Sequence, residues 1–466
     1  MKNTADLDKR LAAVTPSPRQ VAHQQLEFYA FIHFTVNTFT DREWGDGTES
    51  PSVFNPAKLN AEQWVKAVKS AGMRGLILTC KHHDGFCLWP SRYTTHSVTS
   101  SPYKNGQGDV VREAADACRK HGLKFGVYLS PWDRNCPLYG QGKKYDDYFV
   151  NQLTELLTGY GEIFSVWFDG ACGEGPNGKK QVYDWERYYR VIRGLQPNAC
   201  ISVCGPDVRW CGNEAGHTRL AEWSVVPERA KDSEIISEKS QQEDSEAFRQ
   251  RRVDARDEDL GSRAVLANED KLIWYPAEVN TSIRPGWFWH ESENDKVRSL
   301  EELIRIYNNS VGGNATFLLN IPPTSEGLLH ENDVKRLAEL GAYLRAAFGN
   351  NLLDSAVLSN NAVCNAIRVD DYDTYCTDTE ITAEWEEPVN IGNIVLKENI
   401  LLSQRIESFT VEVRKNGEYA EIYRGTVVGY KRIIPLKKVR TDGVRIKITD
   451  SRQEPTIAFL GIYESA

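Results

Sequence analysis

Apolar runs and helical patterns alternate along the first three quarters of the chain. The apolar runs occupy residues 27–36, 74–83, 123–132, 162–170, 199–205, 220–227, 272–280 and 315–323. Segments with a helical period lie between them; in 109–122, for example, Val111, Ala115 and Cys118 share one helical face. Strands that are apolar throughout are typical of a parallel sheet that is covered on both faces.

This alternation predicts an α/β fold in which residues 1–350 form a (β/α)8-type barrel. Each of the eight apolar runs is assigned to one barrel strand, and a helix over residues 331–348 closes the series. A doubly wound sheet is the alternative. No glycine-rich phosphate loop follows the first apolar run, which favours the barrel.

The pattern changes after residue 350. Residues 351–466 contain short runs in which apolar and polar positions alternate, such as FTVEV at 409–413, and no segment with a helical period. This pattern predicts a second domain, a C-terminal antiparallel β-sandwich, and the Asn-Gly pair at 416–417 predicts a hairpin turn within it.

The charge and the apolar content exclude several classes of partner. A net charge of −9 gives no general attraction to nucleic acid or to anionic membranes. No apolar run reaches 18 residues, so we expect no membrane insertion. The first twenty residues lack the apolar stretch of a signal peptide, which predicts a cytoplasmic protein, or a periplasmic or secreted one if a leader was removed. The ten cysteines include no C-x-x-C pair and suit buried positions in a reducing compartment.

Polar and aromatic side chains recur where the apolar runs end. They are His33, His82, His83, Tyr128, Trp132 and Asp169, with Glu214 in the loop that follows the fifth run. In a parallel barrel the carboxyl ends of the strands meet at one mouth, where catalytic groups lie. Flat aromatic rings beside histidines and acids suit the binding of a sugar, and the sequence therefore predicts a site at this mouth.

The adjacent histidines 82 and 83 allow two interpretations, a zinc site or a sugar pocket. A metal needs three or four ligands at fixed distances. Successive side chains of an extended strand point to opposite faces, and the chain contains no H-x-H or H-E-x-x-H motif. These observations favour hydrogen bonds to sugar hydroxyls, with no metal and no cofactor.

Hydrolysis of a glycosidic bond requires two carboxyl groups. Asp169 ends the apolar strand IFSVWFDG, which suits a rigidly held nucleophile, although an aspartate there can equally cap the next helix. The second carboxyl group has four candidates further along the chain: Glu174, Glu214, Glu222 and Glu278.

Five segments resemble the α-L-fucosidases of glycoside hydrolase family 29. They are HFTVNTFTDREWGDG, KHHDGFCLWPS, GVYLSPW, VWFDG and GNATFLLNIPPTSEGLL, which occur in the family's order over roughly residues 25 to 345. The resemblance implies a barrel followed by a β-sandwich and a retaining mechanism with Asp169 as the nucleophile. It implies fucosylated oligosaccharides or glycoconjugates as substrates. The fucose-binding positions that it implies are His33, Glu43, Trp44, His82, His83 and Trp167, with Tyr128 as a further member. The segment EVNTSIRPGWFWH at 278–290 is expected to add Trp287 to the rim of the pocket.

The segment GPDVRWCGNEAGHTRLAEWS resembles the branch of that family that acts on α-1,3 and α-1,4 linkages in Lewis-type glycans. This resemblance implies Glu214 as the catalytic acid/base. The alternatives are a broad-specificity α-L-fucosidase and, in a different class, a non-catalytic fucosyl-glycan-binding protein. The C-terminal domain resembles discoidin-like carbohydrate-binding modules. Such a module either binds glycans or only packs against the barrel, and we favour the packing role.

Overall fold

An eight-stranded parallel sheet curls into a nearly closed barrel. The computed structural model describes residues 4–245, 258–359 and 365–465. The strands up to residue 320 are β1 Phe28–Ile32, β2 Gly75–Lys81, β3 Lys124–Leu129, β4 Ser165–Phe168, β5 Cys200–Val203, β6 Arg209–Trp210, β7 Val225–Pro227, β8 Leu272–Trp274, β9 Ala277–Ser282 and β10 Ala315–Asn320. The barrel order is β5-β4-β3-β2-β1-β10-β9-β6, and a bridge between Ser202 and Val208 links its two edges.

The helices surround this sheet. Their bounds are α1 Thr4–Ala12, α2 Pro18–Leu26, α3 Val36–Thr40, α4 Ala61–Ser70, α5 Val110–His121, α6 Lys143–Gly159, α7 Trp185–Leu195, α8 Ser233–Lys239, α9 Arg263–Leu266, α10 Leu300–Ser310 and α11 Glu331–Ala347. In α5 the Asp109 side chain accepts a hydrogen bond from the Arg112 amide, and Gly122 ends the helix in the left-handed conformation. The face that α5 buries contains Val111, Ala115 and Cys118. None of the described helices is long and apolar enough to cross a bilayer.

The sixth and seventh barrel strands differ from the prediction. Residues 220–227 do not enter the barrel; β7 pairs antiparallel with β8 outside it, with Val225 opposite Trp274. The predicted strand 272–280 is divided into β8 and the barrel strand β9, and the sixth barrel strand is β6. Strand β6 has only two residues, too few to produce an apolar run in the sequence. Val225 and Val226 are apolar for another reason, because they pack in hydrophobic clusters outside the barrel.

The remaining strands form the C-terminal sandwich. They are β11 Val357–Leu358, β12 Glu380–Glu398, β13 Ile406–Lys415, β14 Glu418–Gly425, β15 Arg432–Ser451 and β16 Ile457–Glu464, paired antiparallel in the order β11-β12-β15-β13-β14 with β16 on β12. Both halves of the long strands β12 and β15 face one apolar core. Asn416 and Gly417 have φ of 53° and 85°, as a two-residue hairpin turn requires. The predicted fold class is confirmed.

Charged groups join the two domains at the end of the barrel where β1 begins. Glu27 Oε2 accepts a hydrogen bond from Lys431 Nζ at 2.8 Å, and Glu27 Oε1 accepts one from the Tyr430 hydroxyl at 2.8 Å. Lys397 Nζ lies 3.4 Å from the same carboxylate. This buried glutamate therefore fixes the sandwich against the end of the barrel that is opposite to the mouth.

Candidate active site

A pocket opens at the carboxyl ends of the barrel strands. Its empty volume is ≈ 610 Å³. It is lined by Phe31, His33, Glu43, Trp44, His82, His83, Trp167, Asp169, Gly170, Ala171, Val203, Trp210, Glu214, Ser240, Gln241, Asn280 and Trp287. Nine of the ten residues predicted for the site, all except Tyr128, are in this lining.

Asp169 follows β4 directly and is held from two sides. Its Oδ1 accepts a hydrogen bond from the Ala171 amide at 2.8 Å, and its Oδ2 accepts one from the Tyr128 hydroxyl at 3.0 Å. Burial raises the pKa of Asp169 above its ordinary value, and these two hydrogen bonds oppose that shift. The carboxylate does not cap the next helix, because the side chain of Asp184 does so.

Tyr128 lies behind Asp169 and outside the pocket lining. Its side chain is fully buried, and its ring stacks on Trp167 with a centroid distance of 5.4 Å. The predicted contact of Tyr128 with the sugar is therefore not part of this geometry. Its hydroxyl donates to the Asp169 carboxylate, so Tyr128 orients that carboxylate from beneath.

Hydrogen bonds on one side of the His33 ring fix its tautomer. Asn320 Nδ2 donates to the Trp287 carbonyl at 2.8 Å and to Ser282 Oγ at 2.9 Å, so Asn320 Oδ1 faces His33 Nδ1 at 2.8 Å. His33 Nδ1 must therefore carry the proton. Burial lowers the pKa of His33 to about 4, so the ring is neutral near pH 7 and its Nε2 is an acceptor.

His83 has the same tautomer for a similar reason. Ser130 Oγ donates to the Trp132 carbonyl at 2.6 Å, so it can only accept from His83 Nδ1 at 2.7 Å. Burial lowers the pKa of His83 to about 3, which keeps the ring neutral. Its bare Nε2 lies 3.8 Å from Asp169 Oδ2. A sugar hydroxyl near these atoms can donate to His83.

His82, His83 and Asp169 form a compact group of possible metal ligands. One ligand atom from each lies within 4.8 Å of the others, and burial lowers the pKa of both histidines, so both rings are neutral as a ligand requires. His82 Nδ1 has no hydrogen-bond partner among the described residues. A metal and a sugar would compete for the same atoms here, because these side chains also line the pocket.

Indole rings form the walls of the pocket. Trp44 packs edge to face against His83 at a centroid distance of 5.2 Å, and Trp287 lies 5.2 Å from His33. Trp210 Nε1 donates to Asn280 Oδ1 at 2.9 Å, which fixes a further indole. Aromatic faces at these positions provide apolar surface against which the methyl group and the C–H faces of a sugar can pack.

Glu43 is anchored through both of its carboxylate oxygens. Oε2 accepts a hydrogen bond from the Trp287 amide at 2.8 Å, and Oε1 accepts from the Phe288 amide at 3.1 Å and contacts His290 Nε2 at 2.7 Å. The hydrogen bond to Glu43 raises the pKa of His290 to about 9, so that ring is a cation near pH 7. The pair ties the loop after β9, which carries Trp287, to the loop after β1.

Of the four glutamates considered as the second carboxyl group, Glu214 is the one in the described lining. Trp287 Nε1 donates to its Oε2 at 3.3 Å. Glu174 is exposed on the loop after β4. Glu222 is fully buried in ion pairs with Arg209 and Arg219. Neither side chain is in the described lining of the pocket.

Glu278, the fourth candidate, lies on β9 inside the barrel and beneath the pocket floor. Its Oε1 accepts a hydrogen bond from Trp167 Nε1 at 2.7 Å, and its Oε2 accepts one from the Tyr29 hydroxyl. Burial raises the pKa of Glu278 to about 7. Glu278 therefore orients the indole of Trp167 and does not itself reach the pocket.

Several lining residues were missed by the sequence analysis. They are Phe31, Gly170, Ala171, Val203, Trp210, Ser240, Gln241 and Asn280. Trp210 stands four residues before Glu214 in the segment 205–224, and Asn280 lies near the carboxyl end of β9, so the sequence offered a signal for both residues. Ser240 and Gln241 follow the short helix α8, whose position no sequence pattern revealed.

Comparisons with known proteins agree with this geometry. The sequence model of the family described as alpha-L-fucosidase matches residues 19–348. Alpha-L-fucosidase 1 of Arabidopsis thaliana is 40% identical over 467 aligned residues, which cover 96% of this chain and 87% of the relative. A Bacteroides ovatus protein described as an alpha-L-fucosidase has a crystal structure that is 44% identical, with a TM-score of 0.86 over 99% of this chain and 76% of that one.

A family 29 fucosidase of Ruminococcus gnavus has been solved in complex with fucose. It is 29% identical to this chain, with a TM-score of 0.82, and the match covers 97% of this chain and 95% of that one. The family match spans the barrel and its pocket, and the relatives match across both domains. The chain therefore belongs to the alpha-L-fucosidases of glycoside hydrolase family 29.

Proposed function

We propose that this α-L-fucosidase uses Asp169 as its nucleophile and Glu214 as its acid/base, and that it removes α-1,3- and α-1,4-linked fucose from Lewis-type glycans. The observation that carries the proposal is the presence of both carboxyl groups in one pocket, with Asp169 fixed at a strand end. A retaining glycosidase needs two such groups, one on each side of the bond that breaks.

The first step forms a bond between Asp169 and the anomeric carbon of fucose. The Asp169 oxygen attacks that carbon, the bond to the departing oxygen breaks, and Glu214 gives its proton to that oxygen. The bonds from Tyr128 and Ala171 keep Asp169 aimed at the pocket, where 23% of its side chain is exposed. This fraction leaves the carboxylate accessible to a substrate.

The second step releases the sugar. Water attacks the anomeric carbon, Glu214 takes the proton from that water, and the bond to Asp169 breaks. The configuration at the anomeric carbon is inverted twice and is therefore retained. Glu214 returns to its protonated form, ready for the next substrate.

The remaining pocket residues suit the hydroxyls and the methyl group of fucose. His33 Nε2 and His83 Nε2 are acceptors, since both Nδ1 atoms carry protons. Glu43 supplies charged acceptors, and Trp44 and Trp287 supply apolar walls. The bound fucose of the Ruminococcus gnavus relative supports assigning this pocket to fucose.

The proposed linkage preference has a separate basis. The segment over residues 205–224 resembles the α-1,3/1,4-specific branch, and it carries Trp210 and Glu214, which both line the pocket. A panel that compares Lewis-type trisaccharides with α-1,2-fucosyllactose tests it. We expect cleavage of the Lewis-type linkages and poor cleavage of the α-1,2 linkage; preferred hydrolysis of α-1,2-fucosyllactose would overturn this assignment in favour of another specificity.

A comparison of substrates with poor and good leaving groups tests the role of Glu214. Glu214→Ala should lower hydrolysis of a Lewis-type trisaccharide by about 10²–10⁴-fold, because a sugar oxygen needs a proton to leave. Formation of the intermediate from a nitrophenyl fucoside should fall far less, and azide should accelerate turnover. Equal losses on both substrates without azide rescue would place the acid elsewhere. A fucosyl-glycan-binding protein without activity would bind the same panel and release no fucose.

A further inference from the structure

Glu222 holds both ends of the loop that carries Glu214. The loop, residues 211–219, follows β6, of which Arg209 is the first residue, and ends at Arg219. Glu222 Oε1 accepts a hydrogen bond from Arg209 Nη2, and Glu222 Oε2 accepts hydrogen bonds from the Arg219 amide at 3.1 Å and from Arg219 Nη1 at 3.4 Å. Glu222 has no exposed surface. One buried carboxylate therefore joins the start of the loop to its end.

Further hydrogen bonds close the loop around Glu214. Arg219 Nη1 donates to the Cys211 carbonyl at 2.9 Å, which links the two sides of the loop. Asn213 Nδ2 donates to the His217 carbonyl at 2.8 Å, and Asn213 Oδ1 accepts from the Ala215 amide at 3.0 Å. The backbone on either side of Glu214 is thus fixed to Asn213, and the loop base is fixed through Arg219 to Glu222.

Two guanidinium groups face one carboxylate at the base of the loop. Burial alone would raise the pKa of Glu222, but the positive charges of Arg209 and Arg219 outweigh this effect and lower it. Glu222 is therefore ionised at neutral pH, and the two guanidinium groups are its counterions. A buried carboxylate with hydrogen-bonded partners on both sides holds those partners in one geometry.

The C-terminal sandwich braces the same short segment from behind. Gln404 Nε2 donates to the Glu222 carbonyl at 3.3 Å. Two sandwich side chains donate to the Leu220 carbonyl, Thr426 through Oγ1 at 2.7 Å and Arg432 through Nη2 at 3.1 Å. The sandwich thus contacts the backbone of the residues that carry the clamp.

We propose that Glu222 is a positioning residue for the acid/base Glu214, and that the C-terminal sandwich keeps Glu222 in place. This inference rests on the proposed role of Glu214. Proton transfer depends on the placement of the acid within hydrogen-bond reach of the departing oxygen, and a displacement of about 1 Å can cost about 10²-fold in rate. The sandwich then contributes to catalysis without touching the sugar.

The test is the substitution Glu222→Gln, which keeps the shape of the side chain and removes its charge. We expect kcat/KM for a Lewis-type trisaccharide to fall by about 10- to 100-fold, since the acid is misplaced rather than lost. Formation of the intermediate from a dinitrophenyl fucoside, whose leaving group needs no proton, should change by less than about threefold. A general loss of structure would lower both substrates together.

Glu27→Gln is the matched control. Glu27 is also a buried glutamate in ion pairs, and it also joins the barrel to the sandwich, but its described side-chain partners are Lys397, Tyr430 and Lys431, none of which is in the loop that carries Glu214. We expect it to lower the thermal midpoint and to leave the ratio of the two kcat/KM values unchanged. A ratio that shifts as much in Glu27→Gln as in Glu222→Gln would overturn the inference.

The order of measurements separates this inference from the proposed function. If Glu214→Ala shows no dependence on the leaving group, the assignment of the acid is wrong and the inference falls with it. If Glu214→Ala shows that dependence and a folded Glu222→Gln does not, only the positioning role is wrong. If Glu222→Gln does not fold, Arg219→Gln, which breaks the clamp at its less buried partner, decides in the same way.

Gln404→Ala tests the contribution of the sandwich. Gln404 also accepts a hydrogen bond from the Ser224 amide at 2.8 Å, so its truncation releases two contacts with the segment around Glu222. We expect the same selective loss on the trisaccharide with a smaller amplitude, about two- to tenfold, as only part of the support is removed. An unchanged substrate ratio in the folded variant would show that the sandwich has no part in positioning.

Discussion

Removing the Tyr128 hydroxyl is a direct perturbation of the nucleophile's environment. Tyr128→Phe deletes the hydrogen bond to Asp169 Oδ2 at 3.0 Å. The ring itself is fully buried against Trp167, so phenylalanine keeps the packing. The variant therefore changes one polar contact of Asp169 and leaves the shape of the pocket floor unchanged.

The size of the effect follows from the type of bond. A hydrogen bond to a charged acceptor contributes about 1.5–3 kcal/mol, and one pKa unit corresponds to about 1.4 kcal/mol. The bond favours the ionised form of Asp169, against burial, which raises its pKa. Its loss should raise the pKa of Asp169 by about 1–2 units. Because the nucleophile must be ionised, the acid limb of the pH profile should move to higher pH by that amount.

The assay is kcat/KM for a nitrophenyl fucoside measured from acid to neutral pH. Tyr188→Phe is the control, since that buried hydroxyl donates to Asp146, which is not in the pocket lining. The control should leave the acid limb where it is in the unsubstituted enzyme. An unmoved acid limb in a folded Tyr128→Phe enzyme would refute the reasoning that this hydroxyl supports ionised Asp169.

Two further predictions concern buried groups around the pocket. Burial raises the pKa of Glu278 from 4.5 to about 7, so the folded protein binds a proton here more tightly than the unfolded chain does. This proton binding stabilises the fold fully below pH 4.5, and the contribution is lost as the pH rises through 7. Glu278→Gln should therefore flatten the fall in thermal stability over this range, by roughly 3 kcal/mol at most, and an unchanged pH dependence would contradict this. His83→Ala should weaken transition-state binding by at least about 0.5–1.5 kcal/mol for the lost hydrogen bond, measured as kcat/KM. EDTA should leave the rate of the unsubstituted enzyme unchanged, whereas stoichiometric zinc and loss of activity on chelation would favour a metal at His82, His83 and Asp169.

The barrel was predictable because most of its strands are buried on both faces. Such strands appear as continuous apolar runs, and β1 to β5 and β10 lie within the runs assigned to them. The run at 220–227 is apolar for a different reason: Val225 and Val226 pack outside the barrel. The apolar pattern of the sequence indicates that a residue is buried, but it does not indicate which sheet the residue joins.

The site residues that directly follow barrel strands were predictable from the sequence. Asp169, His33 and the pair at 82–83 all follow strands, and the structure brings them to one mouth. How deeply each side chain lies within the barrel could not be predicted from the sequence in this way. Tyr128 lies one residue before the end of β3 and faces the barrel interior, so it reaches Asp169 instead of the sugar. The clamp at Glu222 joins residues on separate elements, and only the folded chain shows it.

The central claim is that Asp169 forms the covalent intermediate, and trapping that intermediate tests it most directly. A 2-deoxy-2-fluoro-fucosyl fluoride has a good leaving group, while its fluorine slows the second step, so the sugar should accumulate on the nucleophile. Peptide mass spectrometry of the inactivated enzyme should place one fluorofucosyl group on the peptide that contains Asp169, and Asp169→Ala should remain unlabelled. Labelling at any other carboxylate, or in Asp169→Ala, would contradict the account.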